Sequence, residues 1–221
     1  VRNLSYALGL DLTSFRPEHV AARVGGILAR MRIPDASALA RAVAIDPALR
    51  THVRRSIAIS VTRDRRDAGQ FEALRRLHGG ALRASGRPAR AWCAGCSTGA
   101  EVRDLAETLR EARVPVAEVL GSDLLDENVA AARRAHGDVP EARWEVRDVV
   151  ADGPPAGAWD VVVSRNVAIY LTTAAKARLH ATLAEALAPG GILLLGRAER
   201  LPDTQVLGLR RAGPHLYRRA A

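Results

Sequence analysis

The chain has 221 residues, 48% of them hydrophobic, enough for one full α/β domain and a small additional module. No stretch approaches 18 uninterrupted apolar residues and no signal-peptide pattern opens the chain, so a soluble, cytoplasmic protein without membrane insertion is expected. The net charge of +9 is unevenly spread: residues 1–90 hold 17 Arg against 7 Asp plus Glu, and the remainder is close to neutral. Aromatic residues do not alternate with that front charge, which disfavours nucleic acid and favours an acidic protein or a small-molecule carboxylate as partner.

In the front module Val20, Val24, Ile27, Leu28 and Met31 share one helical face, and Pro34-Asp35 breaks it. Leu39 and Val43 mark a second helix, and Leu49, Val53 and Ile57 a third whose opposite side carries Arg50, Arg54 and Arg55. Phe71, Leu74 and Leu77 form a further stripe leading to Gly79-Gly80, which places a boundary between a helical part, 1–80, and an α/β part, 81–221.

The second part opens with a strand at Arg90–Ala94, a turn at Gly95-Cys96-Ser97-Thr98-Gly99, and a helix marked by Val102, Leu105, Ala106 and Leu109. Glycines in such a turn let the backbone approach a ligand, and the helix N-terminus behind them suits a polar, nucleotide-like guest. A second strand, Val116–Leu120, ends in Gly121-Ser122-Asp123, where a carboxylate suits a ribose diol or caps the helix Glu127–Ala135. Strands at Arg143–Val146 and Trp159–Val163 are followed by Asp148 and by Ser164-Arg165-Asn166-Val167-Ala168-Ile169-Tyr170. In an open parallel sheet these four strand ends lie along one edge, where ligands bind. Thr172 or Thr173 caps a helix carrying Leu179, Leu183 and Leu187, and Pro189-Gly190-Gly191 stops it before a strand at Ile192–Leu195. Gln205–Leu209 and His215–Tyr217 read as a closing hairpin. Cys93 and Cys96 form a single Cys-x-x-Cys pair with no nearby His, which reads as packing rather than as a metal or redox site.

Gly-Cys-Ser-Thr-Gly-x-Glu at 95–101, Ser-Asp at 122–123, Ser-Arg-Asn-Val-x-Ile-Tyr at 164–170, Pro-Gly-Gly at 189–191 and Gly-x-x-Glu at 196–199 together resemble the CheR-type, S-adenosylmethionine-dependent methyltransferases. The resemblance implies an α/β, Rossmann-like class I methyltransferase fold, a seven-stranded sheet preceded by a small all-α N-terminal domain. It implies S-adenosylmethionine as cofactor, S-adenosylhomocysteine as product, and no metal. It implies that Asp123 holds the ribose, Asp148 with the Val149 backbone reads the adenine, Glu101 faces the methionine end or the ribose side, and Arg165 and Asn166 line the methionine. The family's linker motif falls on Ser60–Asp67, where Thr62 and Arg66 are kept but Ser60 replaces Asn and Asp64-Arg65 replace two Phe. By the same resemblance Arg66 reaches the methionine or the acceptor carboxylate and Tyr170 faces the transferring methyl, the two catalytic candidates.

The implied activity is carboxylate O-methylation, with protein glutamate as the family default; a biosynthetic small-molecule acceptor and a non-catalytic cofactor-binding regulator are the alternatives. The small β-subdomain that chemotaxis members carry between the second strand's acid and the third strand, where it grips a receptor tail, is missing, so tethering through it is expected to be absent. No His occupies the four strand-end motifs, in keeping with an acceptor that needs no base.

Overall fold

The computed structural model describes residues 2–58 and 68–220. They fall into two compact units, Val1–Val61 with Tyr170–Lys176, and Thr62–Ile169 with Ala177–Ala221.

In the first unit, helices α1 (Arg2–Leu8), α2 (Pro17–Met31), α3 (Ala36–Ile45) and α4 (Pro47–Ala58) pack on one another. Their boundaries follow from local chemistry. Proline opens α2 and α4 at the position where its missing N–H costs nothing. Asp35 accepts from the Ala38 N–H to start α3, and Asp46 accepts from Ala48 and Leu49 to start α4. The expected stripes are buried at Val20, Val24, Ile27, Leu39, Val43, Val53 and Ile57, while Leu28 is half-buried and Met31 exposed. The α1 helix was not foreseen: seven residues with only Leu4 and Leu8 buried give too little periodicity to read. The cationic side of α4 is not uniformly solvated, since Arg54 donates through Nη1 to the Leu8 carbonyl at 2.8 Å and closes the end of α1.

The second unit holds α5 (Ala68–Ala84), β1 (Ala89–Ala94), α6 (Ala100–Glu111), β2 (Val116–Asp123), α7 (Asp126–Ala135), β3 (Ala142–Val146), β4 (Trp159–Ser164), β5 (Leu187–Leu195), β6 (Leu209–Gly213) and β7 (Leu216–Arg219). Helix α8 (Thr173–Ala186) starts in the first unit and continues in the second. The strands form one sheet in the order β3-β2-β1-β4-β5-β7-β6, with β1 to β5 parallel and β7 antiparallel to both its neighbours. This is the expected mixed seven-stranded class I sheet. Alternate residues of the central strands, Ala91 and Cys93, Val161 and Val163, Ile192 and Leu194, join Phe71, Leu74, Leu105 and Leu109 in one core. The intervening Trp92, Val162 and Leu193 are equally buried, so the central strands are apolar on both faces, as parallel strands require.

Three expected boundaries shift. Helix α5 passes through Gly79-Gly80, because a Cβ at Gly79 would stand 2.9 Å from that of Ala112: this glycine serves helix packing, not termination. The expected domain boundary at 80/81 therefore falls inside α5, and the division lies ahead of that helix. Leu187 belongs to β5, which runs through Pro189-Gly190-Gly191 across an irregular register opposite Trp159 and Val161. The hairpin is present, but β6 starts at Leu209, where the expected strand ended.

Candidate cofactor site

The chain leaves β1 outward to β2 and β3, then returns to place β4 on the other side of β1. The order reverses between β1 and β4, and the crevice outside their carboxyl ends is where open α/β sheets take ligands. The turn after β1 and the loop after β4 meet there. A Cβ at Gly95 would lie 2.5 Å from Val167 Cγ2, so only glycine permits this approach. Gly99, at φ +91°, is backed by Trp144, His136 and Ala132, and a Cβ would come within 2.9 Å of each. The room the two glycines leave on their Cβ side is thus filled by protein packing.

Residue 97 is strained as well: Ser97 holds φ +49° and Asn166, in the facing loop, φ +61°. Non-glycine residues in this region persist where surrounding bonds hold them, and they concentrate at functional sites. The bonds are specific. Gly95 N–H and Cys96 N–H both donate to the Ser122 carbonyl, at 2.8 and 2.9 Å, and Ser97 N–H donates to Asp123 Oδ2 at 2.8 Å. Asp123 Oδ1 accepts from Leu125 N–H and Asn128 Nδ2, both at 2.9 Å. Only 8% of Asp123 is exposed; burial pushes its carboxyl above the usual range, opposed by these donors. Asp123 therefore ties the turn after β1 to the start of α7, a duty beyond the ribose contact that the resemblance implies.

Glu101, in the first turn of α6, is half-buried and accepts from Arg165 Nη1 at 2.8 Å. The Arg165 side chain is 1% exposed, donates through Nε to Gln70 at 3.1 Å, and lies over the Phe71 ring at 5.3 Å; Gln70 in turn donates to the Leu195 carbonyl at 2.8 Å. The guanidinium is thus turned into the unit, where it fixes the carboxylate of Glu101. Asp148 Oδ1 accepts from Val150 and Ala151 N–H, and its own N–H donates to Asp152, which shapes the loop after β3; Val149 is buried.

Glu199 was legible in the Gly-x-x-Glu motif but not as a site residue. It is 4% exposed and accepts from Asn166 N–H at 2.9 Å, Ala168 N–H at 2.8 Å and Gly196 N–H at 2.9 Å. A Cβ at Gly196 would sit 2.6 Å from Glu199 Oε2, so that glycine makes room for the carboxylate. Burial raises the Glu199 carboxyl above the usual range against the pull of these N–H groups. The loop after β4 is therefore built around one buried acid.

Tyr170 belongs to the first unit, where its carbonyl accepts from Arg16 N–H at 2.9 Å and its ring centroid lies 5.0 Å from that of His19. Thr62 and Arg66 lie outside the described residues. Cys93 and Cys96 are buried free thiols whose pKa burial pushes well up, as packing residues require. No cluster of three metal-ligating side chains occurs among the described residues.

The set of groups along these strand ends is carboxylate-rich: Glu101, Asp123 and Asp148 follow three successive strands, Val149 adjoins Asp148, and Arg165 and Asn166 follow β4 on the other side of β1. Such a set accepts from hydroxyl and amino groups and suits a neighbouring positive charge, so these residues fit S-adenosylmethionine, a cation carrying a ribose diol.

Residues 141–212 match the family of the CheR methyltransferase, SAM binding domain. The chain is 26% identical over 237 residues to a chemotaxis protein methyltransferase of Listeria innocua, covering 91% of this chain and 88% of that protein. It is 25% identical over 241 residues to an uncharacterized 104.1 kDa protein of Rhodobacter capsulatus, covering 93% of this chain but only 25% of that protein's length. Among solved structures, an S-adenosylmethionine-dependent methyltransferase of Mesorhizobium loti is 29% identical, with a TM-score of 0.41, over 54% of this chain and 52% of that one. Residues 141–212 thus match a CheR-like, S-adenosylmethionine-binding methyltransferase domain, and the chain is related to the chemotaxis protein methyltransferases at low to moderate identity.

Proposed function

We propose that the chain transfers the methyl group of S-adenosylmethionine to a carboxylate, with protein glutamate as the preferred acceptor. The observation that carries this reading is the similarity, along 91% of the chain, to a protein named as a chemotaxis protein methyltransferase. The excess of arginine in residues 1–90 supports an acidic acceptor. When bound, the cofactor supplies a methyl group already activated on sulfonium. A glutamate carboxylate is ionised near neutral pH, with an ordinary pKa of about 4.3, and attacks without a base. The work left to the chain is alignment and exclusion of water. Glu101, Asp123, Asp148 and the Val149, Arg165 and Asn166 main chain would hold the cofactor, Arg165 and Glu199 keeping the first and last of these in place. Arg66 and Tyr170 are assigned to the acceptor side.

A small-molecule carboxylate is the second reading, favoured by the short loop of residues 136–141 that joins α7 directly to β3 where chemotaxis members carry a β-subdomain. Incubation with methyl-labelled S-adenosylmethionine and a glutamate-rich helical peptide separates the two. Base-labile methyl esters on the peptide are the expected product. Label found only in small molecules of a cell extract, with none on the peptide, would overturn the protein acceptor.

A further inference from the structure

The sequence places no histidine in any strand-end motif, yet the fold brings one to Tyr170. In the first unit, residues 14–16 run antiparallel beside 170–172: the Ser14 carbonyl accepts from Thr172 N–H at 2.9 Å, Phe15 and Leu171 form a β-bridge, and Arg16 N–H donates to the Tyr170 carbonyl at 2.9 Å. Pro17 then opens α2, and its first turn carries His19. The imidazole centroid lies 5.0 Å from the Tyr170 ring at a 38° tilt and 6.2 Å from the Phe15 ring at 22°. Both separations fall in the range that aromatic pairs prefer. His19 Nε2 stands 2.8 Å from the Ile57 carbonyl, an acceptor only, so this nitrogen carries the proton and donates. The imidazole is thus held by the Phe15 ring and by the end of α4, and Tyr170 packs against it.

The plain alternative is a half-buried histidine that only ties α2 to α4. Tethering asks for a donor at Nε2 and nothing of the ring. A planar ring in contact with two aromatic side chains is an additional feature, and one of them is the tyrosine.

We infer that His19 is a positioning residue for Tyr170, fixing the phenol ring in the orientation methyl transfer uses. The inference rests on the reading above that Tyr170 serves the acceptor side.

Two substitutions divide the functions of the imidazole. His19→Gln keeps an N–H for the Ile57 carbonyl and removes the ring; His19→Phe keeps the ring and removes the donor. The chain has three tyrosines, so 3-fluorotyrosine labelling gives three fluorine resonances, with that of Tyr170 assigned through Tyr170→Phe. The Tyr170 resonance is expected to stay displaced in His19→Phe and to move toward that of the exposed Tyr6 in His19→Gln. On the glutamate-rich peptide, His19→Gln should lower kcat about tenfold, the change expected from about 1.4 kcal/mol of barrier, with KM and the S-adenosylhomocysteine Kd unchanged. His19→Phe should retain most of kcat.

An unmoved Tyr170 resonance in His19→Gln overturns the inference whatever the acceptor. Wild-type kcat in His19→Gln together with loss of activity in Tyr170→Ala overturns the inference alone. Full activity in Tyr170→Ala overturns the role of Tyr170 and the inference with it.

Discussion

Replacing Glu199 with alanine removes the acceptor of three main-chain N–H groups, those of Asn166, Ala168 and Gly196, bound at 2.8 to 2.9 Å in a site only 4% exposed. Each buried donor left without a partner costs about 1–3 kcal/mol, which sets a range of about 3–9 kcal/mol. Two effects pull toward the lower end. The wild-type carboxylate is already penalised by burial, as its raised pKa shows, and Asn166 is only half-buried, so water reaches part of the loop once the side chain is gone. A loss of about 3–5 kcal/mol is expected, beyond the ordinary range for a single substitution. Asn166 at φ +61° also loses what holds it, and relaxation of the loop should weaken S-adenosylhomocysteine binding by at least tenfold. Trp92, Trp144 and Trp159 all lie in the sheet unit, so tryptophan fluorescence during urea unfolding reports this unit, and calorimetric titration reports the cofactor. Glu199→Gln should recover little, because its amide NH₂ must face N–H donors. Destabilisation of Glu199→Ala below about 1 kcal/mol with wild-type affinity for S-adenosylhomocysteine would refute the argument that one buried acid organises this loop.

Arg165→Met removes the buried guanidinium that donates to Glu101 and Gln70 and is expected to lower stability in urea titration, with the loss from the double variant Arg165→Met/Glu101→Gln smaller than the sum of the two single losses. Gly95→Ala meets both a positive φ of +77° and Val167 Cγ2 at 2.5 Å, and is expected to lower stability and to weaken S-adenosylhomocysteine binding measured by calorimetry. Val167→Ala in the same chain should relieve the clash but not the backbone strain. His78 is buried with Nε2 unpartnered, and burial lowers its pKa below 6.5. The unfolded chain therefore binds the additional proton first, so the stability contributed by neutral His78 is present above pH 6.5 and is lost as pH falls through the folded-state value. Urea midpoints across pH 5 to 8 should show this slope in wild type and a shallower one in His78→Leu.

The amino-acid sequence by itself determined the strand–turn–helix order, because each of those signals is local. Asp35 and Asp46 place helix starts within three residues of themselves, and alternation or helical spacing reports which face a residue turns inward. It also placed polar groups after four successive strands, and a parallel sheet carries them to one edge. The tertiary structure decided the partners. Gln70 reaches the Leu195 carbonyl across 125 positions and Arg165 across 95, and Arg165 reaches Glu101 across 64. Glu199 reaches back 33 residues to Asn166. No periodicity encodes such pairings, since they exist only once the chain has crossed from β3 to β4 and brought the far loop beside the first turn. The same holds for boundaries that sequence reasoning misplaced: Gly79 continues a helix because Ala112 lies against it, and Pro189–Gly191 join a strand because the register opposite Trp159 bends to admit them. His19 belongs in this group too. Its neighbours in sequence say only that it sits in the first turn of a helix, and its place against Tyr170 arises from an antiparallel contact between segments more than 150 residues apart.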